Sequence, residues 1–125
     1  LALAFGPATR AGVAIPQAVP WAELGAEAAA ADVVVNATSV GLHRTVGRDE
    51  SPFAGVRPRE GQIVVDFVYG ETDLARRARA AGARLVTGEQ LLVRQGALAF
   101  TLWTGRPAPE AVMAAAVARG AGSEP

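Results

Sequence analysis

Hydrogen-bonding side chains follow each of three runs in the sequence that are typical of buried strands. Asn36-Ala37-Thr38-Ser39-Val40-Gly41 comes after the first run, Tyr69-Gly70 after the second and Thr87-Gly88 after the third. Open parallel sheets bind their ligands at the carboxyl ends of the strands. Small side chains and glycines there allow close approach to a flat ligand, and a helix that starts after Gly88 offers free N–H groups. The sequence therefore predicts a binding site at one edge of a sheet.

Structural roles compete with binding roles for these residues. Asn36 to Gly41 could equally be a turn in which the Asn and Thr side chains cap backbone groups. Tyr69 could be a half-buried aromatic residue with its hydroxyl in water. Gln95 shares a helical face with Leu91 and Leu98, so its amide needs partners, which are either backbone groups or substrate hydroxyls. These alternatives stay open at the level of the sequence.

Other polar groups are interpreted as structural or solvated. Asp66, inside a strand, is interpreted as an acceptor for neighbouring N–H groups rather than a general base. His43 is the single histidine and is interpreted as a solvated side chain of a long loop. The three arginines of one predicted helix are interpreted as a solvated face rather than an anion site: Arg76, Arg77 and Arg79.

Residue types that the sequence lacks exclude several kinds of chemistry. All 12 basic residues are arginine, which excludes a P-loop lysine, a Schiff-base lysine and a lysine general acid. The absence of cysteine excludes thiolate nucleophiles, disulfides and cysteine-based zinc sites, and a single histidine excludes a multi-histidine cluster. The sequence also contains no G-x-G-x-x-G turn. We therefore expect neither a metal site nor a complete dinucleotide site.

Length and composition indicate one compact globular domain. The 125 residues are 50% hydrophobic and 19% charged, with a net charge of zero. No apolar run is long enough for a membrane span, and no basic field exists to attract nucleic acid or anionic lipid, so neither is an expected partner. We expect a cytoplasmic location, because there is no cysteine and no signal-peptide pattern. The pattern that starts at Leu1 is typical of the middle of a helix. We therefore expect that the chain begins inside a larger protein.

Hydrophobic runs and helix-terminating residues predict alternating strands and helices, and thus an α/β fold on a parallel sheet. Val33–Val35 and Ile63–Val65 lack polar alternation, which predicts strands buried on both faces. The predicted elements are a last helical turn at Leu1–Phe5, a strand at Ala11–Ile15, a helix from Pro20 to about Ala30, a strand at Val33–Asn36, a loop at Gly41–Gln62, a strand at Ile63–Tyr69, a helix at Leu74–Ala81, a strand at Arg84–Thr87, a helix at Glu89–Trp103 and a helix at Glu110–Arg119.

Four sequence blocks occur in a recognisable order over about Asp32 to Met113. They are Val33 to Gly41, Val65 to Tyr69, Gly88 to Phe100 and Leu102 to Gly105. Together they resemble the C-terminal part of shikimate dehydrogenase. The resemblance implies a partial doubly wound parallel sheet, Rossmann-like and corresponding to the C-terminal half, with flanking helices. It implies that residues 1–105 are the C-terminal part of a dinucleotide-binding domain, with a helix at 89–103 that contacts substrate, and that residues 106–125 are a terminal helix and tail.

The resemblance implies an oxidoreductase that uses NADPH to reduce 3-dehydroshikimate to shikimate, a step of chorismate and aromatic amino-acid biosynthesis. It implies contacts to NADP from Thr38, Ser39, Val40, Phe67, Gly88 and Leu91, and contacts to substrate from Tyr69 and Gln95. In that family the proton-transferring lysine and its partner aspartate belong to an N-terminal domain. The resemblance thus implies no catalytic residue in this chain and no activity of the chain alone.

Two departures from the family pattern concern substrate preference and rate. Gly70 stands where a proline commonly follows the tyrosine, and the family's Gly-Leu-Gly-Met occurs here as Gly88-Glu89-Gln90-Leu91. Two other functions stay open, a quinate/shikimate-type NAD(P) dehydrogenase and a non-catalytic α/β interaction module. The expected partner is a small-molecule substrate, and a homodimer is compatible with the family.

Overall fold

The computed structural model describes residues 2–10, 13–38 and 53–121. From β3 onward, strands and helices largely alternate along the chain. The elements are β1 (Ala2–Arg10), β2 (Val13–Val19), a 3-10 turn (Trp21–Glu23), α1 (Leu24–Ala30), β3 (Val33–Asn36), β4 (Ile63–Asp66), α2 (Asp73–Ala80), β5 (Arg84–Thr87), α3 (Gly88–Thr104) and α4 (Glu110–Ala121).

A three-stranded parallel sheet in the order β3-β4-β5 forms the centre of the fold. Its register pairs Asn36 with Asp66 and Asp66 with Thr87, so the last residues of the three strands lie side by side. The predicted α/β fold on a parallel sheet is confirmed. Because all three strands end on one rung, the polar segments that follow them leave the sheet at the same edge.

The hydrophobic core lies on one face of this sheet, beneath α1 and α2. It consists of Ala28, Val34, Phe53, Val56, Val64, Leu74 and Ala78. A buried amide lies beside this core. The Nε2 of Gln62 donates to the carbonyl oxygens of Ala28 and Ala31, each at 2.8 Å. Gln62 is 0% exposed, so these bonds compensate for the loss of water and attach the start of β4 to the end of α1.

The opposite face of the sheet is exposed at β3. Val33 and Val35 are 48% and 49% exposed, while Val34 between them is 6% exposed. The prediction that the strands are buried on both faces is therefore wrong for β3. The physical reason is that α1 and α2 both cover the face of Val34, whereas Val33 and Val35 point to the face that these two helices leave uncovered.

The interpretation of the arginines on α2 as a solvated face is wrong for Arg77. Its guanidinium donates to the carbonyl oxygens of Val56 and Phe53 at 2.5 and 2.8 Å, and its side chain is only 23% exposed. Arg76 and Arg79 are exposed, as expected. Arg77 therefore attaches residues 53–56 to α2 through their backbone carbonyl groups.

β1 and β2 form a separate antiparallel pair at the start of the chain. The helical turn predicted at Leu1–Phe5 is wrong, because Ala2 to Arg10 is a strand; the strand predicted at Ala11–Ile15 overlaps β2. The register shifts between Phe5 and Thr9, where Pro7 cannot donate to the ladder. A short apolar run does not distinguish helix from strand, and here the pairing with β2 decides it.

α3 and α4 begin and end close to their predicted limits. A capping box starts α3, because the Thr87 hydroxyl accepts the Gln90 N–H while the Gln90 side chain accepts the Thr87 N–H. Gly105 ends the helix in the left-handed conformation at φ +66°. An ion pair of 2.7 Å between Arg94 and Glu110 joins α3 to α4.

Candidate functional site

A buried carboxylate connects the strand ends to α2. Asp66 is 1% exposed, and its Oδ1 accepts from the Nδ2 of Asn36 at 3.0 Å and from the N–H of Val68 at 3.1 Å. Its Oδ2 accepts from the Thr72 hydroxyl at 2.5 Å, and that hydroxyl in turn accepts the Ala75 N–H and so caps α2. The interpretation of Asp66 as a structural acceptor is confirmed.

The segment after β3 is held by its own asparagine. Asn36 is 4% exposed, and its Oδ1 accepts the N–H of Thr38 at 3.1 Å and the Thr38 hydroxyl at 2.8 Å. The capping role is thus confirmed for Asn36, which also fixes the half-buried Thr38 at the strand end. Ser39, Val40 and His43, which the sequence analysis singled out, lie outside the described residues.

The turn after β4 alternates between buried and exposed side chains. The N–H of Phe67 donates to the carbonyl oxygen of Asn36 at 3.0 Å, which continues the strand pairing by one residue. Val68 is 1% exposed, whereas Phe67 and Tyr69 are 50% and 53% exposed. Val68 therefore anchors the turn, and the two aromatic rings present about half of their surface beside the strand ends.

Gly88 brings the start of α3 directly against this turn. A Cβ at position 88 would lie 2.6 Å from the carbonyl oxygen of Phe67 and 2.9 Å from Cδ1 of Tyr69. No other residue type fits there without displacement of backbone or ring. The predicted site residues Phe67, Tyr69 and Gly88 are thus brought together, and Thr38 is connected to them through Asn36 and Asp66.

Glu89 belongs to the same cluster, and the sequence analysis did not identify it. Its Oε1 accepts the N–H of Gly70 at 2.7 Å. Partial burial by itself would raise the pKa of the Glu89 carboxyl, but hydrogen bonds from Gly70, from its own N–H and from the Thr87 hydroxyl, together with the charge of Arg79, lower the pKa overall. The sequence did contain a signal for Glu89, because residues 70 and 89 both depart from the family pattern that the resemblance implies. The structure connects them by the hydrogen bond from Gly70 to Glu89.

Two predicted site residues lie further along α3. Leu91 is half-buried and lines a groove of about 740 Å³ between β5, α3 and α4, together with Val93 and Ala114. Gln95 is exposed and lies seven residues after Gly88, which is about 10 Å along a helix. The structure therefore places these two side chains on α3 rather than in the turn that holds Tyr69.

Within residues 2–10, 13–38 and 53–121, no group of three or more potential metal ligands is found. Over the same ranges no helix combines the length and apolar character that crossing a bilayer needs.

Comparison with known proteins identifies similar sequences and structures. Residues 88–118 match the model of the shikimate 5'-dehydrogenase C-terminal domain. Shikimate dehydrogenase (NADP(+)) of Anaeromyxobacter sp. (strain Fw109-5) is 60% identical over 118 residues, which cover 94% of this chain and 40% of that protein. The chain thus spans about two fifths of the length of this relative. The resemblance drawn from the sequence motifs is confirmed for the C-terminal part of that family.

Solved structures agree with the fold class. Shikimate 5-dehydrogenase of Thermus thermophilus, in complex with NADP(H) and shikimate, has a TM-score of 0.58 and 34% identity and covers 81% of this chain and 37% of its own. Ligand-free 5-ketofructose reductase of Gluconobacter sp. strain CHM43 has a TM-score of 0.59 and 28% identity and covers 70% of this chain and 32% of its own. The Rossmann-like, partial doubly wound sheet is confirmed.

Proposed function

Because this chain resembles the C-terminal part of NADP-dependent shikimate dehydrogenases over nearly its whole length, we propose that it forms that part of such an enzyme. The proposed reaction is the reversible reduction of 3-dehydroshikimate to shikimate with NADPH. The observation that carries the proposal is the arrangement at the strand ends, where Asp66 accepts the Val68 N–H between the half-exposed residues Phe67 and Tyr69, and Gly88 packs against the Phe67 carbonyl and the Tyr69 ring.

The strand ends fit the nicotinamide end of the cofactor. The half-exposed Phe67 side chain offers a flat apolar surface, and the short, half-buried Thr38 side chain follows the neighbouring strand β3. When bound, NADPH supplies the hydride. The proposed cofactor contacts are Thr38, Ser39, Val40, Phe67, Gly88 and Leu91. This chain has no glycine-rich phosphate turn, so its proposed share of the cofactor site is limited to that end.

The polar groups of the chain suit substrate orientation rather than proton transfer. Tyr69 and Gln95 are exposed and carry a hydroxyl and an amide that can bind the hydroxyls or carboxylate of shikimate. Both carboxylate oxygens of Asp66 already accept hydrogen bonds, and the chain has no lysine. We therefore assign the proton at the ketone oxygen to a group outside this chain, while the residues here bind and orient.

A ketone of a different polyol is the second candidate substrate. The observation that favours it is the similarity to 5-ketofructose reductase, whose structure matches as well as that of a shikimate dehydrogenase. Gly70 directly follows Tyr69 and bonds to Glu89, and the resemblance implies that both positions depart from the family pattern. This candidate and a quinate-type dehydrogenase would both transfer a hydride to a ketone, as in the proposed shikimate dehydrogenase reaction. They differ from it in which polyol is the substrate.

The test is NADP reduction by the complete gene product, followed at the nicotinamide absorbance, with shikimate, quinate and a ketofructose-type polyol in separate assays and with NAD in parallel. We expect shikimate with NADP to be the best pair. Gln95→Ala and Tyr69→Phe should each lower kcat/KM for shikimate by about tenfold to a hundredfold, because each loses one or two hydrogen bonds to substrate. Thr101→Ala, an exposed position of the same helix, is the matched control and should change little.

Absence of activity with every polyol and cofactor would contradict the enzymatic proposal and favour a non-catalytic interaction module. The domain limits at 105 and 106, the homodimer and the cytoplasmic location stay predictions. Light scattering on the complete protein tests the dimer, and cell fractionation tests the location.

A further inference from the structure

Gly70 donates a hydrogen bond that a proline at this position could not make. Its φ is +84°, in the left-handed region that glycine enters without strain, and its N–H points to a carboxylate oxygen of Glu89 at 2.7 Å. Proline has no N–H and is restricted to φ near −65°, so neither feature is available to it. The turn after Tyr69 is consequently held by an interaction specific to glycine at this position.

Glu89 lies in the first turn of α3, two residues after the N-cap Thr87. Thr87 and Gln90 form the capping box that starts this helix. The Glu89 carboxylate accepts the Gly70 N–H at 2.7 Å and therefore connects the capped start of α3 to the turn that carries Tyr69.

The start of α3 also contacts the Tyr69 ring, at Gly88. The start of α3 lies so close to the Tyr69 ring that no Cβ fits between them. The ring therefore has the helix on one side, and the residue that follows it, Gly70, is bound to Glu89. Displacement of the turn away from Glu89 would move the Tyr69 ring off this surface.

We propose that Glu89 is a positioning residue, whose carboxylate holds the Tyr69–Gly70 turn against α3 and so keeps the Tyr69 hydroxyl in the orientation that binds substrate. This inference rests on the proposed function, in which Tyr69 contacts the substrate. It makes Glu89 and Gly70 a linked pair.

The experiment measures steady-state kinetics and shikimate binding with the complete gene product. Glu89→Ala removes the acceptor and should raise KM for shikimate, and the Kd for shikimate by calorimetry, by about tenfold. KM for NADP should change by less than about twofold, and kcat by less than about threefold. Glu89→Gln retains one acceptor oxygen and should restore most of the affinity for shikimate. A tenfold change corresponds to about 1.4 kcal/mol, within the range of one charge-assisted hydrogen bond.

Glu110→Ala is the matched control, because Glu110 is also a first-turn glutamate, on α4, and bonds an arginine instead of the turn. It should leave both constants for shikimate within about twofold of wild type. The proposal is overturned if Glu89→Ala leaves the affinity for shikimate unchanged, or if it weakens NADP and shikimate binding equally. A wild-type protein that neither binds nor oxidises shikimate would instead overturn the proposed function, a result that is distinct from both.

Discussion

Replacement of Asp66 tests whether the strand ends are held by one buried acceptor. Asp66→Ala leaves the Asn36 amide, the Val68 N–H and the Thr72 hydroxyl without their common partner, and Asn36 and Val68 are at most 4% exposed. A buried donor that loses its acceptor costs about 1–3 kcal/mol, and neighbouring losses are not fully additive. We therefore expect the free energy of unfolding to fall by about 3–5 kcal/mol.

Asp66→Asn separates hydrogen bonding from volume. Its carbonyl oxygen can still accept from Asn36 and Val68, but its NH₂ group then faces the Thr72 hydroxyl, which already accepts the Ala75 N–H. Because one hydrogen bond to a charged acceptor is lost, we expect the free energy of unfolding to fall by about 1–2 kcal/mol. The two variants should thus differ clearly, with alanine the more destabilising.

Thermal denaturation of the complete protein, followed by circular dichroism, is the assay. At about 3 °C per kcal/mol, Asp66→Ala should lower Tm by about 10–15 °C and Asp66→Asn by about 3–6 °C. Asp32→Asn is the control, because that carboxylate is 97% exposed and pairs with Arg59 at 3.6 Å; it should change stability by less than about 0.5 kcal/mol. Equal shifts for the two Asp66 variants, or an Asp66→Ala protein that melts like wild type, would refute the reasoning.

Three further predictions follow from the packing. Gln62→Leu should destabilise by about 2–4 kcal/mol in urea denaturation, because it removes the donor to two carbonyl groups at the core; a loss below about 1 kcal/mol would contradict the assigned role. Gly88→Ala should cost about 1–3 kcal/mol by overpacking against the turn, whereas Gly96→Ala in the same helix, with no atom within 4 Å of its Cβ, should stabilise by about 0.5–1 kcal/mol; equal Tm shifts would argue against the close contact. The pKa of the Glu89 carboxyl is lowered in the fold, so its stabilisation is fully present above the ordinary glutamate pKa and is lost as pH falls through the lower folded value. The stability advantage of wild type over Glu89→Gln should therefore shrink as pH falls below the ordinary glutamate pKa, and an advantage that stays constant under acid titration would contradict it.

The order of strands and helices from β3 onward could be predicted from local signals. β-branched runs marked β3 and β4, and Thr72, Gly82 and Gly105 marked helix limits that the structure retains. These signals act within a few residues, through side-chain sterics and backbone hydrogen bonds, so one sequence suffices to read them. The role of Asp66 was also predictable, since a carboxylate at a strand end is surrounded by N–H donors.

Contacts between distant segments determined the features that local signals could not predict. Whether Ala2–Phe5 is helix or strand depended on pairing with β2, and the exposure of Val33 and Val35 depended on which face α1 and α2 cover. The bond from Gly70 to Glu89 spans 19 residues and exists only because α3 begins against the turn after β4. The sequence by itself thus determined the elements and the residue types at their ends. Only the tertiary structure determined which of those residues touch, because contact depends on the packing of elements that are remote along the chain.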